Sequence, residues 1–383
     1  MSTNSGNENP AAFDDANGGR EGESHPPDSL EIGARKAQHL EICVREQAYR
    51  VETGSTLLDR IHFAHRALPE VSKHELDLGT EFLGHRISMP LLISSMTGGS
   101  AGGYDANKQL AVAAQKAGVP VGMGSIRILF RKPEVADHFR LKRYAPDVPV
   151  LANIGGVQTR ELDHSTLFEW IRELEVDGLA VHLNPGQELS QEDGDRDFRG
   201  VLDAIRRLCA HCPVPVIVKE TGFGIGPADA ELLMDAGAAY VNVAGSGGTN
   251  WIQVERYRLP EAMAEVAAEF EGWGTPTGIL LAAMREHKLP VIASGGLRSG
   301  MDLAKCIAMG AKLGGYALPF IRAVQAGGSE AVVQRIEHFR EVLRNVMVLT
   351  GSASIDDLSN DRVYYDPAFL GLLEQYLATQ RTR

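Results

Sequence analysis

Beyond about residue 88, short runs of apolar and β-branched residues recur along the chain: Pro90 to Ser94, Val119 to Met123, Val148 to Ala152, Gly178 to Leu183, Val214 to Val218, Tyr240 to Val243, Leu289 to Ala293 and Ala311 to Ala317. They are too short and too evenly apolar for amphipathic helices, so they read as strands buried on both faces. Most run into Gly, Asn, Ser or Thr and then into a helix-period pattern, as at Asn107 to Lys116, Ala228 to Ala236 and Met301 to Met309. Eight such units predict an α/β protein, a (β/α)8 TIM barrel with its chemistry at the carboxyl ends of the strands. A doubly wound sheet competes, but the first strand leads into MTGGSAGG and not into a spaced dinucleotide fingerprint. Gly245 to Lys288 forms a long insertion between strand 6 and strand 7, expected to cover one side of the barrel mouth as a lid or contact surface.

The pattern fails at the amino end. Residues 1–29 are Asn, Gly, Ser, Pro and acids, with Arg20 the only Lys or Arg. Such a segment cannot bury enough apolar surface to offset its ordering entropy and is predicted to be a disordered acidic tail. Residues 30–383 then form a single barrel domain with N-terminal and C-terminal helical additions. EIGARKAQHLEI reads as a short helix showing Arg35 and His39 on one face, and a solvated charged helix is the plain alternative.

The chain has 383 residues, 44% of them hydrophobic, enough for a large core. A net charge of −12 gives no support for a nucleic-acid-binding face, and an anionic substrate needs a local basic cluster working against the global field. Four cysteines, Cys43, Cys209, Cys212 and Cys306, are too few for a disulfide scaffold of this length and point to the cytoplasm. Cys209 and Cys212 have CxxC spacing without a second ligand pair, which reads as incidental. No apolar run approaches the roughly 20 residues of a membrane span.

Candidate chemistry gathers at the strand ends, most densely in GLAVHLNPGQELSQEDGDRDFRG from Gly178 to Gly200. Strand alternation puts His182 and Asn184 on one face, and Pro185 and Gly186 turn the chain so that Gln187 and Glu188 return over it. A carboxylate in that company suits a hard cation such as Mg²⁺. Other strand ends carry SMTGG (95–99), GMGS (122–125) with Arg127, ANIGG (152–156), VKE (218–220), AGSGGT (244–249) and ASGGLRSG (293–300). Two Gly-rich loops on late strands fit a phosphate, with Gly295, Gly296 and Arg298 where barrels commonly bind one. Lys219 at a buried strand end needs an anionic partner, and the negative edge of a reduced flavin satisfies that need. The alternative is an ion pair with Glu220 or Glu188.

These motifs resemble the type II isopentenyl diphosphate isomerases, which use FMN and Mg²⁺. The likeness runs from about Arg35 to Leu358. It includes RKxxH (Arg35, Lys36, His39), SMTGG, GSxR, ANIG, HLNPxQE with GDRDF, VKE, AGxGGT with Trp251, WGTPT, SGGLRSGxD, the pair Pro319 and Phe320, and LTG at Leu349 to Gly351. One position departs from the pattern: Ile126 stands where the family usually has Gln, which weakens the expected substrate contacts near Arg127. The resemblance implies a flavin held by Met96, Thr97, Ser125, Asn153, Lys219 and Thr249, with its phosphate against Gly295, Gly296, Arg298 and the Ala317 region. It implies a small-molecule diphosphate gripped by Arg35, Lys36, His39, Arg127, His182 and Asn184, with Gln187 at the reacting carbons and Glu188 on Mg²⁺. Gln187, His182 and Lys219 are the catalytic candidates.

The reaction so implied is a 1,3-allylic proton shift between isopentenyl diphosphate and dimethylallyl diphosphate. Protonating an unactivated alkene demands a strong acid in a dry site, and a neutral amide such as Gln187 is a poor acid alone. In the family the reduced flavin is the acid-base centre, and NAD(P)H serves only as flavin reductant. Such barrels often assemble as homo-oligomers, tetramers or octamers. Two rival readings are an FMN-dependent oxidoreductase of the hydroxy-acid oxidase type and a flavin-binding homologue without catalysis. The first needs a His base and paired arginines that this sequence does not place beside strand 7.

Overall fold

The computed structural model describes residues 38–45, 48–96 and 101–380. The predicted tail, Arg35, Lys36 and Thr97 lie outside the described residues. Eight parallel strands close into a barrel in sequence order. They are β1 (Leu91–Ile93), β2 (Val121–Gly122), β3 (Val150–Gly155), β4 (Gly178–His182), β5 (Val216–Lys219), β6 (Tyr240–Asn242), β7 (Val291–Ala293) and β8 (Leu313–Tyr316). The apolar runs therefore all become barrel strands, trimmed by one or two residues, with β3 extended to Gly155 and β5 to Lys219.

Alternation along these strands decides what faces where. Leu91, Ile93, Val150, Ala152, Val216, Val218, Val291 and Ala293 point outward into the main core under the helices. Leu92, Leu151, Ile217, Ile292 and Leu313 point inward and pack on Phe82 and Ile87. Those last two come from a hairpin, Thr80–Phe82 with His85–Ile87, that plugs the amino-terminal end of the barrel. Gly178 leaves room for this layer, because a Cβ there would stand 2.8 Å from Leu151 Cδ2 and 2.9 Å from Leu83 Cδ1. With that end filled by apolar side chains, only the carboxyl end of the barrel is left to hold a ligand.

The ring of helices is irregular in one place. After β1 comes α1 (Ala101–Ala117), but after β2 the chain forms three 3-10 segments, Ile126–Phe130, Pro133–Phe139 and Leu141–Arg143, in place of an α-helix. Pro133 forces its predecessor out of helical geometry, with Lys132 at φ −132° and ψ 73°. After β3 come α2 (Gly156–Glu161) and α3 (His164–Glu173), and after β4 come α4 (Pro185–Leu189) and α5 (Val201–His211). After β5 comes α6 (Pro227–Asp235). The long insertion divides into α7 (Trp251–Arg256) and α8 (Glu261–Ala268) over the mouth, and α9 (Thr277–Met284), a buried helix of the ring. Helix α10 (Gly300–Ala308) opens with a capping box of Ser299 and Asp302, so half of the SGGLRSGxD motif is a helix start. Helix α11 (Leu318–Thr350) breaks at Gly327 and Gly328 and lies along α1, where Arg340 Nη2 donates to the Ala117 carbonyl at 2.9 Å. Strand Ile61–Phe63 pairs antiparallel with Val363–Tyr365, tying the start of the described chain to its end before α12 (Pro367–Gln380).

Candidate active site

Two residues beyond the apolar floor, the inward positions become Ser94, Asn153, Lys219, Ser294 and Gly315, and these line a cavity of about 290 Å³. Parallel register sets them side by side: Gly155 pairs with His182, His182 with Lys219, and Lys219 with Asn242. The same cavity is lined by His39, Met96, Ser125, Arg127, Asn184, Gln187, Glu188, Thr249, Gly295, Gly296, Arg298 and Ala317. Every candidate residue that falls within the described chain is thus on one wall or another of one site.

Lys219 is recessed at the cavity base, and burial pushes its ammonium down to about 8, opposed only in part by Glu220. Its Nζ donates to the Glu220 backbone oxygen at 2.7 Å. The Glu220 carboxylate turns away to accept the N–H groups of Gly222 (2.6 Å), Phe223 and Gly224 (3.0 Å). Burial raises the Glu220 pKa, and these amides oppose the rise. The ion pair of Lys219 with Glu220 or Glu188 does not form, because β5 ends at Lys219 and the turn aims the next carboxylate at its own backbone.

Beside it, Asn153 Oδ1 accepts from His182 Nδ1 at 3.0 Å, which fixes the ring's orientation and its protonated nitrogen. Asn184 donates through Nδ2 to Gln187 Oε1 (3.2 Å) and Glu188 Oε1 (2.8 Å), and the Asp195 N–H reaches Glu188 Oε2 at 3.1 Å. Among the described residues the Glu188 carboxylate is held by two neutral donors, the Asn184 amide and the Asp195 N–H, and makes no ion pair. The Arg127 guanidinium has no partner among the described residues. Ile126 is fully buried in the main core, so the departure at this position changes packing and leaves Arg127 on the cavity wall.

Two acceptors, Glu255 and Glu52, were not evident from sequence. Glu255 on α7 is buried and accepts from His39 Nε2 (2.9 Å), Gln187 Nε2 (2.8 Å), Gln191 Nε2 (2.9 Å) and Arg258 Nη1 (2.6 Å). Burial raises its pKa, but His39, Gln187 and Arg258 outweigh burial and leave it lowered. Trp251, one helical turn earlier, meets the His39 ring edge-on at 5.4 Å, and that i, i+4 pairing was the available signal. Glu52 bridges Arg298 Nε (2.7 Å) and Arg322 Nη1 (3.0 Å) from a segment that pairs with Thr249. Arg298, expected on a phosphate, therefore has one edge already held by a carboxylate.

A family profile for FMN-dependent dehydrogenases matches residues 44–129 and 175–365. Isopentenyl-diphosphate delta-isomerase of Borreliella afzelii is 41% identical over 90% of this chain and 97% of its own length. The enzyme of that name from Nostoc sp. is 42% identical over 88% and 97%. The chain belongs to the isopentenyl-diphosphate delta-isomerase family. Among solved structures, a soluble mutant of (S)-mandelate dehydrogenase from Pseudomonas putida superposes with a TM-score of 0.62 at 17% identity, covering 88% of this chain and 99% of that one. A mandelate oxidase variant with an FMN adduct gives 0.57 at 18% identity, covering 85% and 99%. These two show that the barrel fold is shared.

The residues present in this family member fit FMN. Ser94 Oγ and Thr221 Oγ1 are buried at the cavity without a partner among the described residues, and both are donors a ring oxygen or nitrogen can satisfy. Gly295 and Gly296 hold φ of +91° and +75°, and a Cβ on either would stand 2.0 Å and 2.4 Å from the carbonyls of Gly245 and Gly247. The two late loops can interlock this closely only as glycine. For Mg²⁺ the fit is of another kind. Among the described residues no group of three or more His, Cys, Asp and Glu is placed to hold a metal, so a cation held by Glu188 would need most of its oxygen ligands from elsewhere, such as substrate and water. No helix among the described residues is long and apolar enough to cross a membrane.

Proposed function

We propose that this enzyme converts isopentenyl diphosphate to dimethylallyl diphosphate in this cavity by a 1,3-allylic proton shift, using FMN in its reduced form, Mg²⁺, and NAD(P)H as the flavin reductant. The observation that carries the reading is the placement of Glu188, a carboxylate held by neutral donors among the described residues, next to Gln187 and in the same cavity as the recessed Lys219. Reduced FMN supplies an acid-base centre that no side chain here provides. Lys219 holds positive charge at the cavity base and favours the anionic form of the ring. Asn153 orients His182, and His182, Asn184 and Arg127 bind the diphosphate with His39 and, from outside the described residues, Arg35 and Lys36. Glu188 would hold a divalent cation, whose charge would help to bind the diphosphate. Gln187, locked between Asn184 and Glu255, holds a fixed amide against the alkene carbons and relays a proton without itself titrating. Trp251 and Leu318 help exclude water from a cationic transition state.

Within this reading, Met96, Thr97, Ser125, Asn153 and Thr249 hold the ring and ribityl chain, and Gly295, Gly296, Arg298 and Ala317 hold the phosphate. The cytoplasm is the compartment proposed, since all four cysteines are free thiols. Assembly as a tetramer or octamer is supported by the insertion, where Phe270 and Trp273 pack edge to face yet remain 38% and 59% exposed. Purified protein incubated with FMN, reduced and given isopentenyl diphosphate with Mg²⁺ should form dimethylallyl diphosphate without net consumption of NAD(P)H. Absence of a bound flavin spectrum, or oxidation of a 2-hydroxy acid to the 2-oxo acid with stoichiometric reduction of O₂ or another electron acceptor, would overturn it.

A further inference from the structure

Residues 194–199, GDRDFR, contribute no cavity-lining side chain, yet they are among the most heavily bonded loops of the molecule. The Arg196 guanidinium folds back beneath α4. Its Nη1 donates to the carbonyls of Glu188 and Gly194 (2.8 Å for the latter), and its Nη2 to that of Gln191 at 2.5 Å. The Glu188 and Gln191 carbonyls already accept the N–H groups of Gln191 (3.2 Å) and Gly194 (3.3 Å), so the guanidinium adds a second, charged donor to each. Gly194 passes so close to α4 that a Cβ on it would stand 1.9 Å from the Glu188 carbonyl oxygen. The next residue, Asp195, donates its N–H to Glu188 Oε2 and accepts Gln158 Nε2 from α2 at 3.2 Å. Also from α2, Arg160 Nη1 donates to the carbonyls of Asp197 (3.0 Å) and Arg199 (2.8 Å). The loop is thus slung between α2 and the end of α4, and its Asp195 amide holds the Glu188 carboxylate.

We infer that Arg196 is a positioning residue for the cation site: its fork ties the loop to α4 so that the Asp195 N–H fixes the Glu188 carboxylate in the orientation a divalent cation needs. This rests on the proposed role of Glu188 as the Mg²⁺ ligand. Planarity matters more than charge here, because every acceptor is a neutral carbonyl and they are spread over two edges of one guanidinium. A lysine ammonium at the same place keeps the charge but cannot span them. Partners that orient a metal ligand typically contribute about 10-fold or more in metal affinity.

The test uses FMN-loaded protein and Mn²⁺ as a spectroscopic substitute for Mg²⁺. Protein-bound Mn²⁺ is followed by EPR with inorganic pyrophosphate present, and the Mg²⁺ dependence of isomerisation is measured in parallel. Arg196→Ala and Arg196→Lys should both raise the half-saturating cation concentration about 10-fold, with FMN affinity unchanged and kcat recovered at high Mg²⁺. Arg196 is exposed, so neither variant threatens the core. Full rescue by lysine would show that charge and not the fork is at work, and an unchanged cation curve in both variants would equally overturn the inference. Wild-type protein that binds no Mn²⁺ and needs no Mg²⁺ would instead overturn the reading of Glu188, an outcome that the wild-type and Glu188→Gln controls separate from failure of the strut.

Discussion

Lys219 Nζ donates to the backbone oxygen of Glu220 at 2.7 Å, while the carboxylate of Glu220 is taken up by amides of its own turn. Two oppositely charged neighbours at a strand end thus avoid a direct ion pair. The consequence is a recessed cation whose charge is directed at the cavity and whose proton is loosely held.

Replacing Lys219 by Ala should destabilise reduced FMN more than oxidised FMN and lower the midpoint potential. A tenfold loss of relative affinity corresponds to about 30 mV for a two-electron couple. Potentiometric titration of both proteins measures this, and an unchanged potential would remove the role assigned to the ammonium.

The same lysine carries a stability signature in flavin-free protein. Its pKa is lowered from 10.5 to about 8, so below about 8 the folded state bears the full cost of a buried ammonium. As pH rises from about 8 to 10.5 the unfolded chain still holds a proton that the folded one has shed, and relative stability rises across that window. Lys219→Met should therefore stabilise the flavin-free protein at pH 7 in urea, with the advantage shrinking towards pH 10.5. A pH-independent difference would contradict this.

Glu188→Gln keeps shape and deletes charge. The variant should fold and bind FMN normally but require much more Mg²⁺, losing about 10- to 100-fold in kcat/KM at ordinary Mg²⁺. Gln187→Ala should lower kcat with no rescue by added Mg²⁺. Identical Mg²⁺ titrations for wild type and Glu188→Gln would exclude the carboxylate as a cation ligand.

Glu255 gathers four donors in a buried setting, so Glu255→Ala leaves Arg258 and the amides of Gln187 and Gln191 without their acceptor. Loss of one member of such a cluster costs about 3 to 5 kcal/mol, to be read from urea unfolding. Because the folded pKa is lowered below 4.5, the contribution is present above that pH and is lost as the pH falls through the folded value. Wild type should therefore lose stability on acidification more steeply than Glu255→Ala.

Gly295→Ala should abolish flavin binding, since its Cβ would stand 2.0 Å from the Gly245 carbonyl at a φ of +91°. Gly371→Ala has nothing within 4 Å of the added Cβ and lies in α12, where alanine should add up to about 1 kcal/mol of stability. Flavin fluorescence and thermal unfolding of the pair distinguish a steric loop defect from a general sensitivity to glycine replacement.

The sequence by itself determined the barrel, because strands buried on both faces must be almost wholly apolar, and that pattern is local. Period-two alternation carried the site as well: Leu151 with Asn153, Ile217 with Lys219 and Ile292 with Ser294 each pair a floor residue with a cavity residue two positions on. The HLNPxQE motif could be read for the same reason, since its members lie within one strand end and one helical turn. Tertiary structure alone decided the rest. Glu255 meets Gln187 from 68 residues away and Glu52 meets Arg298 from 246 away. Neither leaves a periodic trace, because a carboxylate on a helix or an extended segment looks the same whether it faces solvent or a site. The missing helix after β2 was likewise hidden until Pro133 and the core packing of Ile126 and Leu129 set the geometry. The role proposed for GDRDF is of this kind too: Arg196 donates to carbonyls at the end of α4 and in the turn after it, acceptors that do not exist as a set until the chain has turned back on itself.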